Sequence, residues 1–249
     1  MINNRIIAER EMPKTMNQYS KEIGNRIRTL RKSKGLSQQE FASALHKTKS
    51  TISKYEHGDI ALDLETFREI CQLLQMPPHV LLSTAEDTES VSAGINMQRL
   101  YLYNLAGRSG TLTRSIIEIY EHHDETRNVR CQDASIFYGL PSFQTPEKCQ
   151  GYYYGSMTKQ DIFTHLHVIN QKNNIEQVSV CYRSNLDNLL FNVGLLTGLS
   201  FASLVPVSCK AVISEKPLPE NQTLLDALAF DQTEIRRIRN TGIVALLRR

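Results

Sequence analysis

The sequence predicts a multidomain protein: an all-α domain of five helices, followed by a β-rich α+β domain with an antiparallel sheet or a partial barrel. Two patterns predict this order. Apolar residues recur every three or four positions as far as residue 82, whereas a period of two prevails beyond about residue 97. A polar, acidic stretch of small residues over 83–94 lies between the patterns and is typical of an interdomain linker.

With 249 residues the chain is long enough for two cores. We predict a mobile leader over 1–19, the helical domain over 20–82, the linker over 83–96 and the β-rich domain over 97–249. The leader lacks the apolar core of a secretory signal, and no apolar run reaches the roughly 18 residues of a membrane span. Five cysteines are scattered without a C-x-x-C pair. We therefore expect a cytoplasmic protein with reduced thiols and no membrane partner.

The first helix is predicted from an amphipathic stripe of Ile23, Ile27 and Leu30. Ser20 is expected to cap its N-terminus. Gly35 suits the left-handed conformation that ends a helix. Basic residues lie between the apolar positions and leave one charged face.

Residues 36–58 predict two short helices joined by a tight turn. Ser37, with Glu40 three residues later, forms a capping box that begins the second helix. Thr48 is expected to cap the third helix, and Gly58 to end it. The remaining two helices follow from a cap at Asp63, a break at Pro77 and Pro78, and a short apolar run over 79–82.

The helical domain is basic although the whole chain carries a net charge of only +3. Residues 19–59 hold nine Lys or Arg against four Asp or Glu, a surplus of five positive charges. A basic segment on a nearly neutral body is what a module that binds a polyanion would show. A surplus of positive charge is equally expected on a solvated helix face. Only a sequence motif can distinguish that case from a polyanion-binding module.

Three stretches distinguish a polyanion-binding module from a solvated helix face: GLSQQEFASAL, TKSTISKYEHG and LDLETFREICQLLQMPPHVLL. Together they resemble the phage-repressor (Cro-like, XRE-type) helix-turn-helix domain over about residues 23–82. The resemblance implies a sequence-specific DNA-binding domain. Two residues depart from the family pattern: His46 stands where the turn usually has Gly, and Lys47 where an aliphatic residue is usual. A non-glycine residue in a left-handed turn costs about 1 kcal/mol.

In a helix-turn-helix the second helix lies in the major groove and its N-terminal residues meet the base edges. Here that recognition helix is residues 48–56. Lys49, Ser50 and Lys54 are the principal predicted base readers, because their side chains donate or accept hydrogen bonds at base edges. Other predicted contacts, to bases or to phosphates, are Gln38, Thr48, Thr51, Ser53, His57 and Arg28.

The second domain is predicted from segments rich in β-branched and aromatic residues. Residues 98–105 and 112–120 fit either a strand or a helix, whereas five segments from residue 151 onward predict strands. Hairpins are expected at 173–174 and 185–186. Gly194 and Gly198 indicate bulges or close backbone approach. Residues 217–219 should end the sheet, two helices over 221–230 and 233–239 should follow, and 243–247 form a last apolar segment.

The role of this second domain stays open between three alternatives. Its sheet could bind a small-molecule effector through aromatic residues, for which the candidates are Tyr152, Tyr154, Tyr182 and Phe191, with Tyr153 beside them. Ordinary cross-strand packing explains the same residues. The sheet could instead be a dimerisation platform, or could bind a protein partner as in a phage or antitoxin-type regulator.

Catalytic and metal-binding alternatives have weaker support. A self-cleaving repressor would cut Ala93–Gly94 with Ser156 as nucleophile, but it needs a nearby neutral lysine, and Lys159, Lys172 and Lys210 are poorly placed in the sequence. His165 and His167 would share one face of a strand, but no third ligand has a supporting spacing. We therefore predict no enzyme, no metal and no cofactor. The expected function is a transcriptional regulator that binds a double-stranded DNA operator as a homodimer.

Overall fold

The computed structural model describes residues 16–83, 96–106, 110–124, 129–183, 190–200 and 205–246, so most of the predicted leader and linker lies outside the described residues. Five helices come first: α1 Met16–Ser33, α2 Gln38–Ala44, α3 Lys49–His57, α4 Leu64–Leu74 and α5 Pro78–Leu82. Eight strands follow: β1 Asn96–Ala106, β2 Thr111–Asp124, β3 Val129–Tyr138, β4 Gly151–Gln160, β5 Phe163–Asn170, β6 Gln177–Arg183, β7 Asn192–Ser200 and β8 Val205–Ser214. The helices α6 Gln222–Leu228 and α7 Gln232–Thr241 come last.

The five predicted helices of the first domain are confirmed, and α2, α3 and α4 have the caps that the sequence predicts. Ser37 Oγ accepts the Glu40 N–H at 3.2 Å, and Glu40 Oε2 accepts the Ser37 N–H at 2.7 Å. Thr48 and Asp63 each accept the N–H of the residue three positions on. Gly58 ends α3 with φ 70°. These caps satisfy N–H groups that a helix end otherwise leaves without a partner.

The predicted start of the first helix was wrong. α1 begins at Met16, so Ser20 lies inside the helix and does not cap it. The reason is a tertiary contact between α1 and the end of α3. At Gly58 a Cβ atom would lie 2.4 Å from Lys21 N, which shows that the α1 backbone packs directly on the end of α3. That contact supports a turn of helix that the local sequence does not specify.

The second domain is a closed barrel, where the sequence predicted an antiparallel sheet or a partial barrel. Each strand pairs antiparallel with the next, and β8 pairs with β1 to close the circle. Residues 98–105 and 112–120, which fitted a strand or a helix, lie in β1 and β2. Closure removes the free edges of the sheet where the ladders are complete.

The barrel interior is filled by side chains. Along β5, Thr164, Leu166 and Val168 are buried, whereas His165 and His167 are exposed on the outer face. Tyr153 and Tyr182 belong to the same interior cluster as Leu166 and Val168. Such alternation is expected where one face of each strand packs on a core.

The remaining predictions for this domain concern close backbone approach, hairpins and the terminal helices. A Cβ at Gly194 would lie 2.5 Å from the Cys181 carbonyl oxygen, and one at Gly198 would lie 2.2 Å from that of Gln177, so both glycines closely approach the backbone of β6 as predicted. The hairpin at 173–174 is confirmed between β5 and β6, with Asn174 at φ 53°. The hairpin at 185–186 lies outside the described residues. Both terminal helices are confirmed.

The two domains pack on each other. A single apolar cluster contains the core of the helical domain together with barrel residues Met97, Ile116, Tyr120, Phe137 and Tyr152. The last four project outward from β2, β3 and β4, where the helical domain covers them. In the described part of the chain, no helix is long and apolar enough to cross a membrane.

Candidate nucleic-acid interface

The turn between α2 and α3 has the geometry that the motif requires. His46 adopts φ 52°, the left-handed conformation for which glycine is usual. The Lys47 N–H donates to the Ala42 carbonyl at 2.9 Å, which closes the turn. Phe41 and Ile52 are buried and fix the two helices against α1. The unusual residue in the turn has therefore not changed the motif.

The predicted base readers lie together on the open side of α3. Lys49, Ser50 and Lys54 are all exposed. Thr48 is exposed as well, but its Oγ1 accepts the Thr51 N–H and lies 2.9 Å from the Thr51 hydroxyl. The two threonine hydroxyls thus bond to each other, whereas Lys49, Ser50 and Lys54 project from the exposed face of the helix.

The imidazole of His57 is oriented by its own helix. Its Nδ1 lies 2.6 Å from the Ser53 carbonyl oxygen, so Nδ1 carries the proton and donates. In the neutral ring Nε2 is then an acceptor only. A bond from His57 to a phosphate therefore requires the doubly protonated ring.

A buried ion pair holds α3 to α1. Glu56, 1% exposed, accepts from Arg31 Nε at 2.5 Å and from Arg31 Nη2 at 3.2 Å. Gln38 Nε2 donates to the same carboxylate at 2.8 Å. Gln38, predicted as a phosphate contact, is thus also part of the network that orients the recognition helix; its phosphate contact remains a prediction.

A shallow depression joins the three helices of this surface. It is lined by Arg28, Arg31, Lys32, Ser37, Gln38, Gln39 and Lys49. We call it the basic depression, because none of these residues is acidic and Arg31 alone is neutralised by a buried carboxylate. Lys32 and Gln39 are not among the contacts that the sequence predicts. The position of Lys32, four residues after Arg28 on one helix face, would have identified it.

The barrel holds the helical domain by a second buried ion network. Glu118 on β2 is 2% exposed and accepts from Arg26 on α1 at 2.7 Å and from Arg99 on β1 at 2.6 Å. The Tyr120 hydroxyl donates to the same carboxylate at 2.6 Å. Burial opposes the charge of Glu118, but the two guanidinium groups lower its pKa to about 2. The carboxylate thus joins α1 to two strands while staying ionised.

A further polar contact joins α5 to the barrel. His79 Nε2 lies 3.4 Å from Asp133 Oδ2 on β3, and the Tyr154 hydroxyl donates to the same Asp133 oxygen. His79 also packs against the Tyr120 ring, with centroids 5.8 Å apart. α1 and α5 therefore face the barrel, while the exposed side chains of α3 stay accessible.

The structure does not bring the four predicted effector residues together. Tyr152 lies under the helical domain and its hydroxyl is 2.7 Å from Ser135 Oγ. Tyr154 packs beside it on the outer face. Tyr182 lies inside the barrel, and Phe191 packs near α6. An effector site made of all four would need a different arrangement, so effector binding at any of them remains a prediction.

The residues considered for self-cleavage are also apart. Ser156 is exposed on β4, opposite His167 of β5, and Lys159 lies on the other face of the same strand. The Lys210 ammonium is held by the Ala229 carbonyl at 2.9 Å and by Glu234 at 2.7 Å. Ala93 and Gly94 lie outside the described residues.

Among the described residues there is also no group of three or more His, Cys, Asp or Glu that could hold a metal ion.

A comparison with known protein families identifies part of the first domain. The family model for helix-turn-helix domains matches residues 27–81. No curated protein matches the chain. The restriction-modification controller protein C.AhdI from Aeromonas hydrophila is 30% identical over 24% of this chain and 92% of that chain, with a TM-score of 0.24.

Two other solved structures show similar coverage. The DNA-binding domain of BldD is 25% identical over 27% of this chain and 97% of that chain, with a TM-score of 0.26. The clp gene regulator ClgR from C. glutamicum is 20% identical over 32% of this chain and 99% of that chain, with a TM-score of 0.27. The family match alone supports a DNA-binding regulator, and it covers none of the barrel.

Proposed function

Since residues 27–81 form a helix-turn-helix domain, we propose that the chain is a transcriptional regulator that reads double-stranded DNA with α3 in the major groove. One observation carries the proposal. The exposed Lys49, Ser50 and Lys54 project from a helix whose opposite face is fixed by the buried Arg31–Glu56 pair. A groove about 12 Å wide admits one helix, and base readout needs such side chains on a rigid support.

Each predicted contact has a chemical role. Lys49 donates to guanine O6 and N7, and Ser50 donates or accepts at the adjacent base pair. Arg28, at the edge of the basic depression, contacts phosphate and carries no sequence information. Loss of Lys49 should therefore reduce sequence preference, whereas loss of Arg28 should reduce affinity for any sequence.

A pair of alanine variants tests this division of roles. Lys49→Ala should relax base preference at one operator position, with a loss of about 1–3 kcal/mol on the preferred sequence. Arg28→Ala should weaken binding to all sequences about equally. Selection from a randomised duplex pool followed by anisotropy titration measures both. An unchanged sequence preference for Lys49→Ala would show that α3 sits in the groove in another register.

We further propose that the chain acts as a homodimer on a two-fold symmetric operator. One small domain offers few base contacts, so two copies on half-sites about 34 Å apart supply the affinity and the symmetry. The barrel would set this activity by dimerising or by binding an effector. Sedimentation of the free protein and of its complex with a symmetric operator tests it. Two chains per duplex support the homodimer, and one chain per duplex at saturation contradicts it.

A further inference from the structure

A turn of the barrel contacts the helical domain next to the basic depression. Lys34, in the connection between α1 and α2, donates from Nζ to Gln171 Oε1 at 3.3 Å and to Gln75 Oε1 at 3.4 Å. Lys172 lies beside the same connection: a Cβ atom on Gly35 would be 3.7 Å from Lys172 Cε. The β5–β6 turn, residues 171–176, therefore packs against the connection that leads into α2.

This connection leads directly into the basic depression. Lys32 and Ser37, on either side of it, both line the depression. Gly35 is two residues from Ser37, a span of at most about 7 Å. Lys172 is exposed, and its ammonium ends a flexible four-carbon chain. It therefore lies beside the segment that joins Lys32 to Ser37, two residues of the basic depression.

The backbone of the turn that carries Lys172 is held by hydrogen bonds from asparagine side chains. Asn170 Oδ1 accepts the Lys172 N–H at 2.8 Å. Asn173 Oδ1 accepts the N–H groups of Ile175 and Glu176 at 3.0 and 3.1 Å. The acidic residue of the same turn, Glu176, is oriented toward Asn170, whose Nδ2 donates to Glu176 Oε2 at 2.9 Å. A lysine on a fixed backbone loses less conformational freedom when it binds.

We propose that Lys172 binds a backbone phosphate of the duplex that α3 reads, so that the barrel is itself part of the DNA-binding surface. The proposal rests on the proposed DNA-binding function. Its chemistry is the phosphodiester anion, which a lysine contacts without regard to sequence. The consequence is that any change that moves the β5–β6 turn alters the affinity for DNA directly, without a rearrangement of α3.

The salt dependence of binding tests this contact. The probe is a 30-base-pair duplex of random sequence, so no operator needs to be known. Each phosphate contact contributes about 0.9 to the slope of log affinity against log salt. For Lys172→Ala in the full chain, we expect a slope smaller by about 0.9. Between 50 and 200 mM salt the variant should lose about 3.5-fold less affinity than the wild type.

Two variants control the result. Lys172→Arg keeps the charge and should keep the wild-type slope. Lys159→Ala removes an exposed lysine near the opposite end of β5, and should also leave the slope unchanged. A wild-type slope for Lys172→Ala, or an equal drop for Lys159→Ala, would overturn the proposal. If the wild-type chain bound no duplex at low salt, the proposed DNA-binding function would fail first, and this inference with it.

Discussion

Glu56 shows how one residue fixes the orientation of the recognition helix. Its buried carboxylate pairs with Arg31 and accepts from Gln38, so it joins α3 to both α1 and α2. Glu56→Ala would leave the Arg31 guanidinium buried without its partner. Loss of one member of a buried pair costs about 3–5 kcal/mol. We expect that loss in the free energy of unfolding, measured by urea titration.

An exposed glutamate provides the control for Glu56. Glu65 lies in the first turn of α4, where a carboxylate contributes about 0.3–1 kcal/mol through the helix dipole. Glu65→Ala should therefore destabilise much less than Glu56→Ala. Equal losses for the two variants would contradict a structural role for the buried pair.

The turn residue His46 carries a backbone strain that glycine would remove. At φ 52° a side chain meets the following carbonyl, which costs roughly 1–2 kcal/mol, partly offset by the greater freedom of glycine in the unfolded chain. We expect His46→Gly to stabilise the domain by about 0.5–1 kcal/mol in a thermal or urea titration. His46→Ala keeps the Cβ atom and should give no gain. A gain of similar size from alanine would show that the imidazole, and not the backbone, is the source.

At the residue scale, the sequence predicts interactions between residues that are close together in the chain. Ser37, Thr48 and Gly58 were predicted because caps depend on neighbours within four residues. The partner of Glu56 was not predicted, because Arg31 is 25 residues away and only the folded packing brings them together. A partial indication was present: Glu56 follows the buried Ile52 by four positions, which places it on the inner face of α3.

At the scale of elements, Glu118 ties α1 to β1 and β2, and this tie depends on pH. Its pKa falls from 4.5 to about 2 because Arg26 and Arg99 outweigh the cost of burial. A depressed pKa contributes stability that is complete above the unfolded value and is lost as pH falls towards 2. Glu118→Gln removes this contribution. The difference in unfolding free energy between wild type and variant should narrow by about 2 kcal/mol from pH 7 to pH 3.

The exposed pair of Arg114 and Glu220 provides the comparison for that measurement. The side chains are 30% and 36% exposed, and exposed pairs contribute about 0–1 kcal/mol. Glu220→Gln should therefore change stability little at pH 7. If the unfolding free energies of wild type and Glu118→Gln differed by the same amount at pH 7 and at pH 3, Glu118 would not be the ionised centre of the contact.

The same contact explains why β2 could not be told from a helix in the sequence. Ile117 and Ile119 face the barrel interior, while Ile116 and Tyr120 face the helical domain, and all four are buried. A strand buried on both faces loses the alternation that identifies strands. β5 shows the opposite case: its outer face is exposed, its alternation is intact, and it was predicted as a strand.

At the scale of the whole molecule, the covered face of the barrel makes the two domains depend on each other. Tyr120, Phe137 and Tyr152 are each at most 4% exposed although they project outward from the barrel. Each large apolar side chain that is fully buried contributes roughly 1.5–3 kcal/mol. The sequence predicted two domains with a linker. It gave no indication of this contact, because a strand face that packs on another domain has the same composition as a core face.

The chain should therefore unfold in one cooperative transition, with equal calorimetric and van't Hoff enthalpies in scanning calorimetry. Tyr120→Ala removes a ring and a hydroxyl bond from the contact but leaves the barrel interior filled, so it should separate the transition into two. Tyr182→Ala makes the same chemical change inside the barrel and should lower the melting temperature of a single transition by creating a cavity. Two resolved transitions in the wild type would contradict the shared core. A single transition in Tyr120→Ala would show that the ion network around Glu118 is enough to keep the helical domain on the barrel.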